Sequence, residues 1–329
     1  MAKLPELTIG NIKLKNSLML APMAGITDMP VRVLATQNGA GLVYTEMVSA
    51  RALVYDSEKT KLLMRMCETE RPTSIQIFGS EPAHMAQAAK MAEAFGADIV
   101  DINLGCPAKK ITKTGAGSKL LADIKTLSAI LQATRKSIKI PLTIKIRIGL
   151  VPGQNIAPEV IKLAYETGIN MVAVHARPAS LGHTGLPDIE AFRVAAADAK
   201  LPVIANGGIE DEKTAQKFLD IPNCGGLMIG RGAIGNYSLF SRLENYFNNG
   251  QPSIEPSWEQ RINWLRLHAE ASVKHYGEEK GIVILRKLTP YYIKDIPNAS
   301  KIRDNINKIS TLKKFENAVK QNWDTLSYD

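Results

Sequence analysis

The sequence predicts an α/β fold: a (β/α)8 TIM barrel followed by a small all-α helical-bundle domain. Short runs rich in Val and Ile alternate with helix-period segments from about residue 17 to residue 245, as repeated βα units require. Eight such runs fall in that stretch, whose length matches the ~250 residues of such a barrel. After Gly250 the texture changes: residues 251–257 carry two prolines and two serines, and helix-period sequence follows. The chain is therefore expected to divide into a barrel over residues 1–245 and a helical domain over residues 246–329.

The candidate strands, in order, are 17–22, 41–46, 73–79, 98–103, 141–147, 171–175, 202–206 and 226–230, with helical segments such as 81–95 and 214–219 between them. Each is a short apolar run, and most end on a polar side chain. The second ends on Glu46, the third carries Gln76, the fourth ends on Asn103 and the fifth carries Lys145; His175 and Asn206 end the sixth and seventh, and Arg231 follows the eighth. Barrel active sites lie at that end of the strands. No G-x-G-x-x-G follows the first strand, which argues against the runner-up, a doubly wound dinucleotide-binding sheet. In the tail, segments 258–276, 281–294 and 299–322 predict three or four packed helices.

Composition narrows the function classes. With 45% hydrophobic and 22% charged residues the chain can bury a core, which excludes disordered and collagen-like proteins. A net charge of +9 makes a polyanion the first partner to consider, and residues 281–320 hold nine Lys or Arg against three acids. Cys67, Cys106 and Cys224 form no C-x-x-C pair, so neither a disulfide framework nor a zinc site is expected, and a reducing cytosol fits. No His or carboxylate cluster has metal spacing. Residues 1–16 contain no apolar signal core and no run reaches the ~18 apolar residues of a membrane span, which predicts a cytoplasmic protein with no membrane contact.

Glycines recur where a backbone must approach a ligand: Asn206-Gly207-Gly208 after the seventh strand and Gly230-Arg231-Gly232 after the eighth. Those two loops are the frequent phosphate site of barrels, and Arg231 adds charge and a fork of donors. Lys145 projects near the mouth among apolar neighbours and needs an anionic or acceptor partner. Gln76 offers a donor and an acceptor on one amide, the complement of a ring edge. Cys106 follows the fourth strand between Gly105 and Pro107, where the loop holds a thiol over the mouth, and it is the candidate reacting side chain. His175 could bond a ligand or move a proton. Cys67 and Cys224 read as inert small hydrophobes, and His84, His268 and His275 as satisfied polar groups.

Taken in order, Ala21-Pro-Met-Ala-Gly-Ile-Thr-Asp, Thr45-Glu-Met-Val-Ser, Asp101-Ile-Asn-Leu-Gly-Cys-Pro-Ala-Lys-Lys, Lys145-Ile-Arg, His175-Ala-Arg, Ala205-Asn-Gly-Gly-Ile and Met228-Ile-Gly-Arg-Gly-Ala resemble the flavin-dependent tRNA-dihydrouridine synthases, most of all their bacterial B-type branch. The resemblance covers nearly the whole chain. It implies an FMN-binding barrel and a helical RNA-binding domain, with Pro22, Met23, Ala24, Gln76, Lys145 and His175 around the flavin and Asn206, Gly207, Gly208, Gly230 and Arg231 around its phosphate. It makes Cys106 the general acid and Asn103 and Arg177 substrate contacts. Arg286, Lys287, Tyr291, Lys294 and Arg303 resemble positions that face tRNA. The implied reaction spends NADPH (or NADH) to reduce FMN, then transfers hydride to uracil C6 while Cys106 gives a proton to C5. No obligate protein partner is implied.

Two positions depart from that pattern. Gly208 stands where the B-type branch commonly has Asp, and Pro178 where Thr is usual. The rival readings are a flavin barrel reductase of rRNA uridine or of a small enone or pyrimidine, and a non-catalytic RNA-binding protein. A small-molecule reductase has no use for the basic tail, and a binding protein has none for Cys106 together with the flavin-facing residues.

Overall fold

The computed structural model describes residues 3–326. Eight parallel strands form the barrel: β1 (Leu18–Leu20), β2 (Val43–Tyr44), β3 (Thr73–Phe78), β4 (Ile99–Asn103), β5 (Leu142–Arg147), β6 (Met171–His175), β7 (Val203–Asn206) and β8 (Cys224–Ile229). All eight expected runs are present. Neighbours in sequence pair throughout from β2 to β8, and β8 returns to β1 through Leu227–Leu18, Met228–Met19 and Ile229–Leu20. Between β1 and β2 a parallel bridge from Met19 to Leu42 completes the ring. β2 is shorter than expected because the Thr45 hydroxyl accepts from the Gln76 N–H (3.1 Å) in place of a main-chain carbonyl; pairing with β3 resumes at Val48–Ser49.

Strand pleating sorts the side chains. Ile75, Ile77, Val100, Ile102, Ile144, Ile146, Val172 and Val174 face outward into the layer of helices, which includes α1 (Met29–Gln37), α2 (Pro82–Ala94) and α3 (Ile124–Ser137). The alternate residues Met19, Tyr44, Ile99, Met171, Ala173, Ile204 and Met228 form a separate apolar cluster inside. An N-terminal hairpin, Thr8–Ile9 with Ile12–Lys13, adds Leu7, Ile9 and Leu14 to that cluster and closes the floor of the barrel. The inward positions above this floor are polar, and they form the mouth.

After α4 (Ala157–Glu166), α5 (Ile189–Ala196), α6 (Glu212–Leu219) and α7 (Leu239–Asn249) come four helices: α8 (Trp258–Tyr276), α9 (Glu278–Tyr292), α10 (Ala299–Ile306) and α11 (Leu312–Leu326). This is within the three or four helices expected, with the segment 299–322 divided into two. Arg286 takes the Ile309 carbonyl, and Ser310 and Thr311 favour a cap over a helix interior. The helices dock closely: a Cβ on Gly281 would stand 2.7 Å from the Ser272 carbonyl, and one on Gly235 2.7 Å from that of Tyr291.

A buried polar chain joins these helices to the barrel. Tyr237 and Tyr292 share a hydrogen bond of 2.8 Å, Tyr292 meets His268 Nδ1 at 2.7 Å, and His268 Nε2 lies 4.0 Å from Asp28, which caps α1 by accepting from the Val31 N–H. Burial pushes His268 down to about 3, so its ring is neutral. Burial likewise pushes Asp28 up to about 6, with Glu46 adding to the shift and the Val31 N–H opposing it. A carboxyl that binds its proton more tightly in the folded state stabilises most at pH below its ordinary value of 3.8, and the contribution is lost as pH rises through about 6. Asp28→Asn keeps the cap and removes the titration. The melting temperature of the wild type relative to this variant is therefore expected to fall between pH 4 and pH 7, as calorimetry at stepped pH would show.

Candidate active site

The inward residues near the C-terminal ends of β3 to β8 line two adjoining cavities. The larger, of about 430 Å³, is bounded by Pro22, Met23, Ala24, Gln76, Asn103, Cys106, Lys145, His175 and Arg231. The smaller, of about 100 Å³, is bounded by Asn206, Gly207, Gly208, Gly230, Arg231 and Arg177, and shares Lys145 and His175 with the first. Every barrel residue expected around the flavin, its phosphate or the substrate thus reaches one mouth, whereas Glu46 lines neither cavity and accepts from the Gly25 N–H. Lys287 and Arg303 do not reach the mouth: they lie exposed on α9 and α10, and Arg303 has only a loose contact with Asp304 at 3.9 Å. Arg286 is spent on the Ile309 carbonyl, whereas Tyr291 does reach the larger cavity.

Cys106 sits on a loop held from three sides. Asn103 Oδ1 accepts from the main-chain N–H of Gly105 (3.2 Å) and of Cys106 (2.9 Å). The Cys106 carbonyl accepts from the Ser118 N–H, and a Cβ on Gly117 would stand 2.6 Å from that carbonyl, so the close approach needs glycine. Buried Arg147 spans two loops, donating to the Gly105 carbonyl (2.8 Å) and the Pro178 carbonyl (3.1 Å). The thiol is partly exposed to the cavity, in contrast to Cys224, whose thiol burial pushes up to about 11. Cys67 is half-buried, so the reading of it as a core residue holds only in part.

The other end of the mouth is cationic. Lys145 Nζ donates to Asn206 Oδ1 (2.9 Å), and Asn206 Nδ2 donates to the Met228 carbonyl (2.7 Å), so this amide is the post on which the lysine rests. Burial pushes Lys145 down to about 7, helped by Arg147 and opposed by Asp101. Burial also lowers Arg147 to about 10. It holds His175 well below its ordinary value, with Lys145, Arg147 and Arg177 adding repulsion. His183 and Arg177 shift the same way, again chiefly by burial. Burial is the chief cause of each shift and the neighbouring cations add to it, and an anion bound among them would oppose every one of these shifts. Gly207 forms the wall beside them: its φ is +120°, and a Cβ there would lie 2.9 Å from His175 Cδ2.

Sequence reasoning passed over Met47, His183 and Arg147 as lining residues. Arg147 was legible, since it lies two residues beyond Lys145 and must share its face of β5. His183 and Met47 lie on loops, where no period says which side chain turns inward.

A family model described as dihydrouridine synthase (Dus) matches residues 19–326. A probable tRNA-dihydrouridine synthase of Rickettsia conorii is 37% identical over 300 residues, 91% of each chain. The tRNA-dihydrouridine synthase B of Pasteurella multocida is 37% identical over 302 residues, 92% of this chain and 91% of the other. Among solved structures, histamine dehydrogenase from Rhizobium sp. 4-9 superposes with a TM-score of 0.58 at 13% identity, over 86% of this chain and 50% of the other, which is a likeness of fold.

The tightness at Gly207 is directly testable. Gly153 also has a positive φ, +82°, but nothing lies within 4 Å of its added Cβ, so Gly153→Ala should cost only the backbone preference, about 1 kcal/mol. Gly207→Ala adds the His175 clash and should cost about 1 to 3 kcal/mol, more than Gly153→Ala, in urea unfolding.

Proposed function

The chain belongs to the dihydrouridine synthase family of flavin-dependent oxidoreductases, and from that premise we propose that it reduces the C5–C6 double bond of specific tRNA uridines to dihydrouridine, using FMN and NADPH (or NADH) in the cytoplasm. The observation that carries this reading is the pairing, in one mouth, of a loop-borne thiol and a glycine-walled cluster of cations.

The residues present fit a flavin with a phosphate tail. The glycines Gly207, Gly208 and Gly230 turn bare backbone toward the smaller cavity, and Arg231 and Arg177 bring donors to it. Pro22, Met23 and Ala24 form an apolar wall for the ring system, with Gln76, Lys145 and His175 placed for its polar edge. Bound there, the flavin supplies hydride transfer between the nicotinamide and the uracil. Cys106 holds the proton destined for C5. Asn103 aims the thiol loop and lines the space for the base, with Arg177 nearby. The target base must leave the RNA stack to reach this depth, and contacts to the RNA backbone from the helical region, residues 246–329, offset that cost. Lys287 and Arg303, exposed and uncommitted to the cavities, suit that task.

Mapping dihydrouridine in RNA from cells with and without the protein tests the reading; an unchanged map in both tRNA and rRNA would overturn it. Cys106→Ala is expected to leave flavin reduction by NADPH near the wild-type rate while slowing transfer to RNA about a hundredfold or more, as stopped-flow absorbance resolves. Lys287→Ala should flatten the dependence of log K on log salt for tRNA by about 0.7 to 0.9, in binding titrations at several salt concentrations.

A further inference from the structure

Asp101 is fully buried on β4 and lines neither cavity, yet it heads a continuous run of hydrogen bonds that ends at the Cys106 loop. Its Oδ1 accepts from the Thr143 hydroxyl (2.6 Å) and its Oδ2 from Gln76 Nε2 (2.7 Å). Gln76 Oε1 then accepts from Asn103 Nδ2 (2.8 Å), and Asn103 Oδ1 accepts from the Gly105 and Cys106 amides. The sheet register brings these groups together: Gln76 pairs with Asp101 across β3 and β4, and Asp101 with Thr143 across β4 and β5.

An amide side chain can turn either way, but a carboxylate only accepts. Gln76 must therefore present its NH2 to Asp101 and its oxygen to Asn103. Asn103 must in turn present its NH2 to Gln76 and its oxygen to the loop. Reversing either amide would set N–H against N–H at a buried site. We propose that Asp101 is a positioning residue for Cys106, setting the orientation of two amides in series so that the second grips the thiol loop. Burial lifts this carboxyl to about 6, and the Thr143 and Gln76 donors, with the charge of Lys145, favour the ionised form on which the sequence of acceptors depends. The functional weight of the proposal rests on the reading of Cys106 as the proton donor, but its structural content does not.

The test is hydrogen exchange of the Gly105 and Cys106 amides in the full-length protein, followed by mass spectrometry or NMR. Asp101→Leu removes the acceptors at similar volume and should speed exchange at both amides about tenfold, the equilibrium worth of one net hydrogen bond. Asp101→Asn keeps an acceptor for Gln76 while the Thr143 hydroxyl reverses, and should restore most of the protection. Gln76→Leu cuts the next link and should reproduce the effect of Asp101→Leu, which decides the matter if that variant fails to fold. Exchange at the wild-type rate in folded Asp101→Leu or Gln76→Leu would overturn the proposal, as would Asp101→Asn exchanging as fast as Asp101→Leu. Absence of dihydrouridine formation by the wild type would overturn the reading of Cys106, a failure separate from these.

Discussion

Everything at the mouth depends on one constraint: in a closed barrel every second residue of every strand must point inward. Outward positions meet helices and are filled by Ile, Val and Leu. Inward positions are apolar at the floor and polar at the top, and the change happens within single strands. β4 passes from Ile99 to Asp101 to Asn103 on one face, and β7 from Ile204 to Asn206. Polar side chains buried in this ring need hydrogen-bond partners, and Gln76, Asp101, Asn103, Thr143, Lys145 and Asn206 find them there. The Lys145–Asn206–Met228 contact and the run from Asp101 to Cys106 are two solutions to that demand.

This constraint also explains how much could be read from sequence. The eight strands were legible because short apolar runs of β-branched residues in a βα rhythm have few other folds, and Gln76, Asn103, Lys145, His175 and Asn206 were legible because strand ends fix both height and direction. Cys106 was legible from Gly105 and Pro107, which mark a tight turn at the right strand. Partners within the ring were not, since Asp101 and Thr143 are apart in sequence and meet only through register. Thr45 shows the same limit: a hydroxyl replacing a carbonyl in the sheet shortened β2 without any apolar run being interrupted in an obvious way. The break between α10 and α11 depended on Arg286, more than twenty residues upstream of the carbonyl that it takes.

The helices after the barrel are not an appendage. They bury Asp28, which caps α1 directly after the turn at Met23 to Thr27, and Met23 and Ala24 are themselves lining residues of the larger cavity. Tyr291 reaches that cavity from α9. A displacement of α8 or α9 would thus be felt at the cavity wall through two routes, the polar chain of Tyr237, Tyr292 and His268 and the ring of Tyr291.

The hairpin that seals the barrel floor with Leu7, Ile9 and Leu14 carries a consequence for traffic. A mouth with a closed floor is a single doorway, so the nicotinamide donor and the RNA that the proposed reaction needs must each come and go by the same opening. In that proposed reaction each substrate would compete with the other for one threshold.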